Sequence, residues 1–206
     1  MDCMQIRQSK LKPAEVEYRK KTRRDLRAQR LSLSTQQQRQ AGKKLNKKLR
    51  LRFRLRTGLL SAYVADDGEI DPMLFLQQLR GKPVQIYLPW VDFSGQLKML
   101  RWKPGRELKA GRWGILHPSP ARSRHLRSVR LLNHVLLPLV AFDSNGNRLG
   151  RGGGFYDKIL ARCQGHTRRI GLAHDFQRIA SIPVAEWDQH LHEIITDASH
   201  EYFAQR

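Results

Sequence analysis

The segment NGNRLGRGGGFYD, residues 145–157, holds the residues best suited to chemistry. Gly150, Gly152, Gly153 and Gly154 let the backbone approach a ligand closely, and glycine accepts positive φ, so successive N–H groups can converge on one set of phosphate oxygens. Arg148 and Arg151 flank these glycines and offer charge-assisted, bidentate contacts to the same anion. Asp157 falls one turn into the helix expected from Phe155 to about Cys163, whose positive end faces the loop. A carboxylate there suits a hard cation that bridges phosphate oxygens, such as Mg2+. The spacing fits neither Gly-x-x-x-x-Gly-Lys-Ser/Thr nor Gly-x-Gly-x-x-Gly. Glycines alone also suit a surface turn; the arginines and the downstream carboxylate favour an anion site. Cys3 and Cys163 read as free thiols without zinc-ligand spacing, and His190 and His192 read as solvated or structural rather than as a metal pair.

Such a loop needs a strand before it and a helix after it. Glu15 to Leu31 is rich in helix formers, and Ser34 or Thr35 offers an N-cap for a second helix to about Leu49. Leu49 to Arg56 alternates apolar and basic residues, which fits either a strand or a frayed helix end. GLLSAYVA reads as a buried strand, PMLFLQQL as a short helix opened by Pro72, and KPVQIYLPW as a strand, which together imply a parallel crossover. QLKMLRW is a further strand, RSVRLLNHVLLPLVAF ends in a long apolar one, and RRIGLAH and finally HEIITD complete the set. Near-continuous apolar strands alternating with helices predict an α/β fold: a three-layer Rossmann-like sandwich around a mostly parallel sheet. We expect one domain over 1–206, with a basic helical segment (1–57) packed on an α/β core (58–206). Ligands in such sheets bind beyond the carboxyl ends of the strands, where the glycine-rich loop falls.

The chain of 206 residues carries 39 Lys and Arg against 18 Asp and Glu, a net charge of +21. The first 57 residues hold 19 of these cations and 4 of the acids, so +15 of the total lies there. KKTRRDLRAQR and KKLNKKLRLRFRLR have the density to meet a phosphate backbone. Leu26, Leu45 and Leu49 within them read instead as the apolar positions of helices with solvated faces, and no zinc-finger or RNP-like motif accompanies them. Nucleic-acid binding is therefore the second reading and not the favoured one. No run of 18 apolar residues suits a membrane span and no secretory signal opens the chain, so a cytoplasmic protein is expected.

RLGRGGGFYD preceded by PLVAFDSNGN resembles the signature of the 5-formyltetrahydrofolate cyclo-ligase family, also called methenyltetrahydrofolate synthetases. Lys20 and Arg24 followed by Arg30 and LSLS, then YVADDGEID, GLAHDFQ and IPVAEWDQHLHEIIT, resemble further family blocks in the same order, from about Lys20 to Thr196. The resemblance implies ATP- and Mg2+-dependent cyclisation of 5-formyltetrahydrofolate, with or without a polyglutamate tail; a monomer or weak dimer is expected, although the sequence itself does not reveal the oligomeric state. It implies ATP contacts from Lys20, Arg24 and the loop Arg148, Leu149, Gly150, Arg151, Gly152, Gly153, Gly154, Phe155 and Tyr156, with Arg148, Arg151 and Tyr156 closest to the chemistry. Asp157 and Asp188 would be Mg2+ ligands, and Val64, Glu69, Trp113, Phe155 and Tyr156 would hold the folate. Two positions depart from the family: Phe155 replaces a frequent Tyr, and His117 stands where many members have Glu and receives no role.

Overall fold

The computed structural model describes residues 11–53, 57–111 and 114–204. Helices α1 (Pro13–Leu31) and α2 (Thr35–Arg52) come first. The second begins where the sequence predicts: the Ser34 hydroxyl accepts from the Gln37 N–H, and the Gln37 side chain accepts from the Ser34 N–H at 2.7 Å. Of the two readings open for Leu49 to Arg56, the helix holds as far as Arg52; residues 54–56 lie outside the described residues.

Strands β1 (Gly58–Ser61) and β2 (Val84–Val91) run parallel, with α3 (Met73–Gln78) between them as the expected crossover. β3 (Leu97–Trp102) returns antiparallel to β2, and β4 (Lys109–Ala110) with β5 (Leu116–His117) forms a small hairpin. β6 (His134–Pro138), β9 (Arg168–Ala173) and β10 (Glu193–Thr196) extend the parallel sheet on the other side of β1, and β11 (His200–Tyr202) closes it antiparallel. The full order is β11-β10-β9-β6-β1-β2-β3. Its five parallel strands follow a flavodoxin-like pattern that reverses direction between β1 and β6, and an open α/β sheet forms its ligand crevice at such a switch point.

Two expectations need correction. The apolar run to Phe142 is not one strand: β6 stops at Pro138, and β7 (Ala141–Phe142) pairs with β8 (Arg148–Leu149) in a separate hairpin. Leu139, in the break, turns its carbonyl to Arg30 and Gln177 instead of a sheet neighbour. HEIITD is not the last strand either, because β11 follows it.

Alternation along the strands feeds two apolar layers. Leu136 of β6 joins a cluster with Leu60, Ile86, Ile170 and Ile195, covered by Leu45 and Leu49 of α2 and Phe75 and Leu76 of α3. Val135 and Leu137 face the opposite side with Ile194, Leu191 and Leu160, the last from α4 (Phe155–Leu160). α4 ends sooner than the predicted Cys163. No helix among the described residues is long and apolar enough to cross a membrane.

Candidate active site

The loops leaving the carboxyl ends of β1, β2 and β6 enclose a cavity of about 740 Å3 at the switch point. Tyr63 and Val64 come from beyond β1, Trp90 from the end of β2, and Leu139 from beyond β6. The glycine-rich loop forms another wall.

That loop is aimed by the turn DSNGN. The buried Asp143 accepts from the backbone N–H of Asn145 and Asn147 through Oδ1 (both 3.0 Å), and from the Asn147 amide (2.8 Å) and the Ile182 N–H (3.0 Å) through Oδ2. Gly146 takes φ +77°, so the β7–β8 hairpin can reverse there. The reversal carries Arg148 into the interior, with 3% of its side chain exposed. Gly152 and Gly154, at φ +105° and +63°, shape the remaining loop, and Gly154 caps α4.

Arginines and carboxylates meet around this cavity in pairs. Arg148 donates to Asp157 Oδ1, while its Nε is buried with no acceptor among the described residues. Arg19 grips Asp188 through both terminal nitrogens, at 2.7 and 3.3 Å, and Asp188 Oδ2 also caps the Ala185 N–H at 2.9 Å. Arg151 lies 3.0 Å from Asp66 Oδ2, 3.3 Å from Asp67 and 3.3 Å from Glu69 Oε1. Glu69 is buried, and that burial lifts its pKa above the usual carboxylate range although Arg151 and Arg30 oppose the shift. Arg23 Nε donates to the Gly150 carbonyl at 2.8 Å and ties α1 to the loop.

The residues expected to act together largely meet here. Val64, Glu69, Arg148, Gly150, Arg151, Gly152, Gly153, Gly154, Phe155, Tyr156, Asp157 and Asp188 all line the one cavity. Leu149 does not, because its side chain packs with Ala141 and Ile182 beneath the loop. Lys20 and Arg24 also stand apart. Their side chains are 63% and 74% exposed and pair with Glu17 and Asp25. The face of α1 that reaches the cavity carries Val16, Arg19 and Arg23, one position earlier in the helical register. Trp113 lies outside the described residues.

Sequence reasoning missed several lining residues. Arg19 and Arg23 were legible as an i,i+4 pair, but the neighbouring Lys20 and Arg24 have the same spacing. Trp90 and His117 enter from the end of β2 and from β5, their rings 6.2 Å apart, and His117 is buried with Nδ1 2.7 Å from the Pro118 carbonyl. No motif marks either residue. Among the described residues no three His, Cys, Asp or Glu side chains gather as a metal cage.

The family model for the 5-formyltetrahydrofolate cyclo-ligase family matches residues 15–197. The 5-formyltetrahydrofolate cyclo-ligase of Escherichia coli K12 is 34% identical over 175 residues, covering 83% of this chain and 96% of that protein. That of Haemophilus influenzae is 32% identical over 184 residues, covering 87% and 98%. The solution structure of Aquifex aeolicus 5,10-methenyltetrahydrofolate synthetase superposes with a TM-score of 0.79 at 23% identity, over 91% of this chain and 94% of that one, and shares the fold. With the family match spanning both helices of the basic segment and the sheet through β10, the chain belongs to the 5-formyltetrahydrofolate cyclo-ligase family.

Proposed function

We propose that this protein cyclises 5-formyltetrahydrofolate to 5,10-methenyltetrahydrofolate at the expense of ATP, releasing ADP and phosphate. The observation that carries the reading is that the arginine-bearing glycine loop and the buried carboxylate of Glu69 line a single cavity beside the apolar surface of Val64 and Trp90. A formamide oxygen is a poor leaving group. Transfer of the γ-phosphoryl group to that oxygen, with departure of ADP, makes it a good one. N10 then attacks the formyl carbon and loses its proton, and the C–O bond breaks as phosphate leaves. No protein nucleophile is needed, so the residues act by positioning the reactants and balancing phosphate charge.

Arg148, Arg151 and Arg23 have the geometry to contact the triphosphate. The buried Arg148 Nε lacks an acceptor among the described residues, and a phosphate oxygen supplies one. Arg151 exchanges Asp66 and Glu69 for phosphate, which releases the Glu69 carboxylate to accept the paired N–H donors of a pterin ring. Tyr156 and Phe155 border the same space and pack the substrate against the loop. Mg2+ would supply charge neutralisation across the phosphate oxygens. Asp157 fits such an ion, because its Oδ2 takes no hydrogen bond among the described residues. Asp188 has both oxygens on Arg19, so it serves only if that pair opens.

Purified protein with 5-formyltetrahydrofolate, Mg2+ and ATP should yield methenyltetrahydrofolate, read by near-ultraviolet absorbance, with one ADP per product. ATP turnover without that product, or no turnover, refutes the proposal.

A further inference from the structure

A second cavity, of about 570 Å3, lies at the opposite end of the sheet. The catalytic cavity takes Pro89, Trp90 and Val91 from the carboxyl end of β2, whereas this one takes Val84 from its amino end, and Arg101 and Trp102 from the adjoining end of β3. At about 3.3 Å per residue along β2 the two are roughly 20 Å apart. Two tight turns form its walls. The Lys82 N–H donates to the Leu79 carbonyl at 3.0 Å in one, and the Arg106 N–H to the Lys103 carbonyl at 3.0 Å in the other. The buried Trp102 pins the second turn, its Nε1 donating to the Arg106 carbonyl at 2.9 Å. Arg80 reaches from the first turn to the second. A Cβ added to Gly105, which sits at φ +87°, would lie 3.5 Å from Arg80 Nη1 and 3.7 Å from its Cζ.

Five cationic side chains, Arg80, Lys82, Arg101, Lys103 and Arg106, line this space and no carboxylate does. None of the five makes an ion pair or a side-chain hydrogen bond to another described residue. Glu107 follows Arg106 in sequence but is exposed and outside the lining. The contrast with the catalytic cavity, where Asp66, Glu69, Asp157 and Asp188 each meet an arginine, is one of charge balance. Like charges gathered in one concavity repel, and a multivalent anion relieves that repulsion while the guanidinium forks match phosphate oxygens. Trp102 is buried and no other aromatic lines the space, so there is no platform for stacking bases.

We propose that this cavity is a second anion site, separate from the catalytic one, that binds a chain of linked phosphate groups. Two sources share that chemistry: free linear polyphosphate and the backbone of a single-stranded nucleic acid.

The test uses the full chain in about 50 mM salt, with a fluorescein-labelled single-stranded oligonucleotide followed by anisotropy and linear tripolyphosphate followed by calorimetry. Arg80→Ala/Arg106→Ala should weaken binding about tenfold or more, and for the oligonucleotide should flatten the slope of log K against log salt by about 1.4, since each lost single-strand phosphate contact removes about 0.7. Lys20→Ala/Arg24→Ala removes the same net charge elsewhere and should cost less than about threefold. Cyclo-ligase turnover of the Arg80/Arg106 variant should stay within about twofold of wild type, which a folding defect would not allow. Cavity-dependent binding of the oligonucleotide alone assigns nucleic acid as the source, and of tripolyphosphate alone, or of both, assigns free phosphate chains as sufficient. Equal losses in the two double variants overturn the proposal, as does binding of neither probe at about millimolar concentration. Tripolyphosphate binding that Arg151→Ala abolishes and Arg80→Ala/Arg106→Ala leaves intact belongs to the catalytic cavity and also overturns it.

Discussion

Arg23→Ala separates the site built by α1 from the one suggested by residue spacing. Arg23 Nε donates to the Gly150 carbonyl at 2.8 Å, so its guanidinium both holds the glycine loop and adds positive charge to the cavity. A hydrogen bond with one charged partner contributes about 1.5–3 kcal/mol, which corresponds to a fall of about 10- to 150-fold in kcat/KM for ATP. Arg23→Lys keeps the charge without the planar fork and should fall between the two. Lys20 and Arg24 make only exposed pairs, Lys20 at 3.9 Å from Glu17, and such pairs contribute about 0–1 kcal/mol. Lys20→Ala and Arg24→Ala should therefore cost no more than about fivefold. The assay is the initial rate of methenyltetrahydrofolate formation with ATP varied at saturating folate, with unfolding midpoints measured beside it. If Lys20→Ala or Arg24→Ala matches the loss in Arg23→Ala, or if Arg23→Ala is silent, the assignment of the α1 face is refuted.

Four further outcomes are expected. Asp157→Ala removes the open carboxylate oxygen and strands the buried Arg148, so kcat should drop by about 100-fold or more and added Mg2+ should not restore it. Glu69 has its pKa raised by burial, so its carboxylate is neutralised at a higher pH than an ordinary glutamate; folate KM should rise as pH falls through that raised pKa, and Glu69→Gln should erase the dependence. Arg52→Ala leaves the buried Glu193 without its bidentate partner at 2.6 and 2.7 Å, a loss of about 3–5 kcal/mol in urea unfolding at neutral pH. Burial acts to raise the Glu193 pKa, but Arg52 and His200 outweigh it and the net shift is downward; the stability it contributes is present above the unfolded glutamate pKa and is lost as pH falls through the lowered folded value, so wild type and variant should converge in acid. Leu49→Ala, in the apolar layer shared by α2 and the sheet, should cost about 2–5 kcal/mol and leave KM values unchanged.

The glycine-rich loop was legible as a candidate anion site because its glycines, two arginines and a carboxylate lie within one segment, and the structure places that segment on the cavity wall. The parallel strands were legible in place and order, since burial on both faces writes apolar runs, but not in extent: β6 stops at Pro138 although the apolar run continues to Phe142. Short edge elements were not: β4 with β5, and β11, have few residues each and no apolar pattern to distinguish them from loops. The face of α1 that turns toward the cavity was not legible for a different reason. Where Lys and Arg crowd together, as in RKKTRR at residues 19–24, charge carries no phase, and only packing decides which side chains turn inward.

That phase becomes clear once the helix is docked. Arg19, Arg23, Arg27 and Arg30 recur every three or four residues and lie on one face of α1. Arg19 holds Asp188, Arg23 the Gly150 carbonyl, Arg27 Asp67, and Arg30, with 1% of its side chain exposed, both Asp67 and the Leu139 carbonyl. A docking stripe that leucine usually supplies is here largely made of guanidinium groups, with Leu26 partly buried beside them against Ala141 and Leu149. Part of the positive charge that reads as a solvated helix face is therefore internal: Arg19 and Arg30 are buried and Arg23 half-buried, while Arg27 stays exposed, and their partners come from the segments after β1, β6 and β9 and from the glycine loop. Three of the four arginines meet residues that line the candidate cavity: Asp188, the Gly150 carbonyl and the Leu139 carbonyl. Docked α1 therefore supplies part of the cavity wall and holds its loops, and a change that loosens the helix should lower activity before it unfolds the sheet.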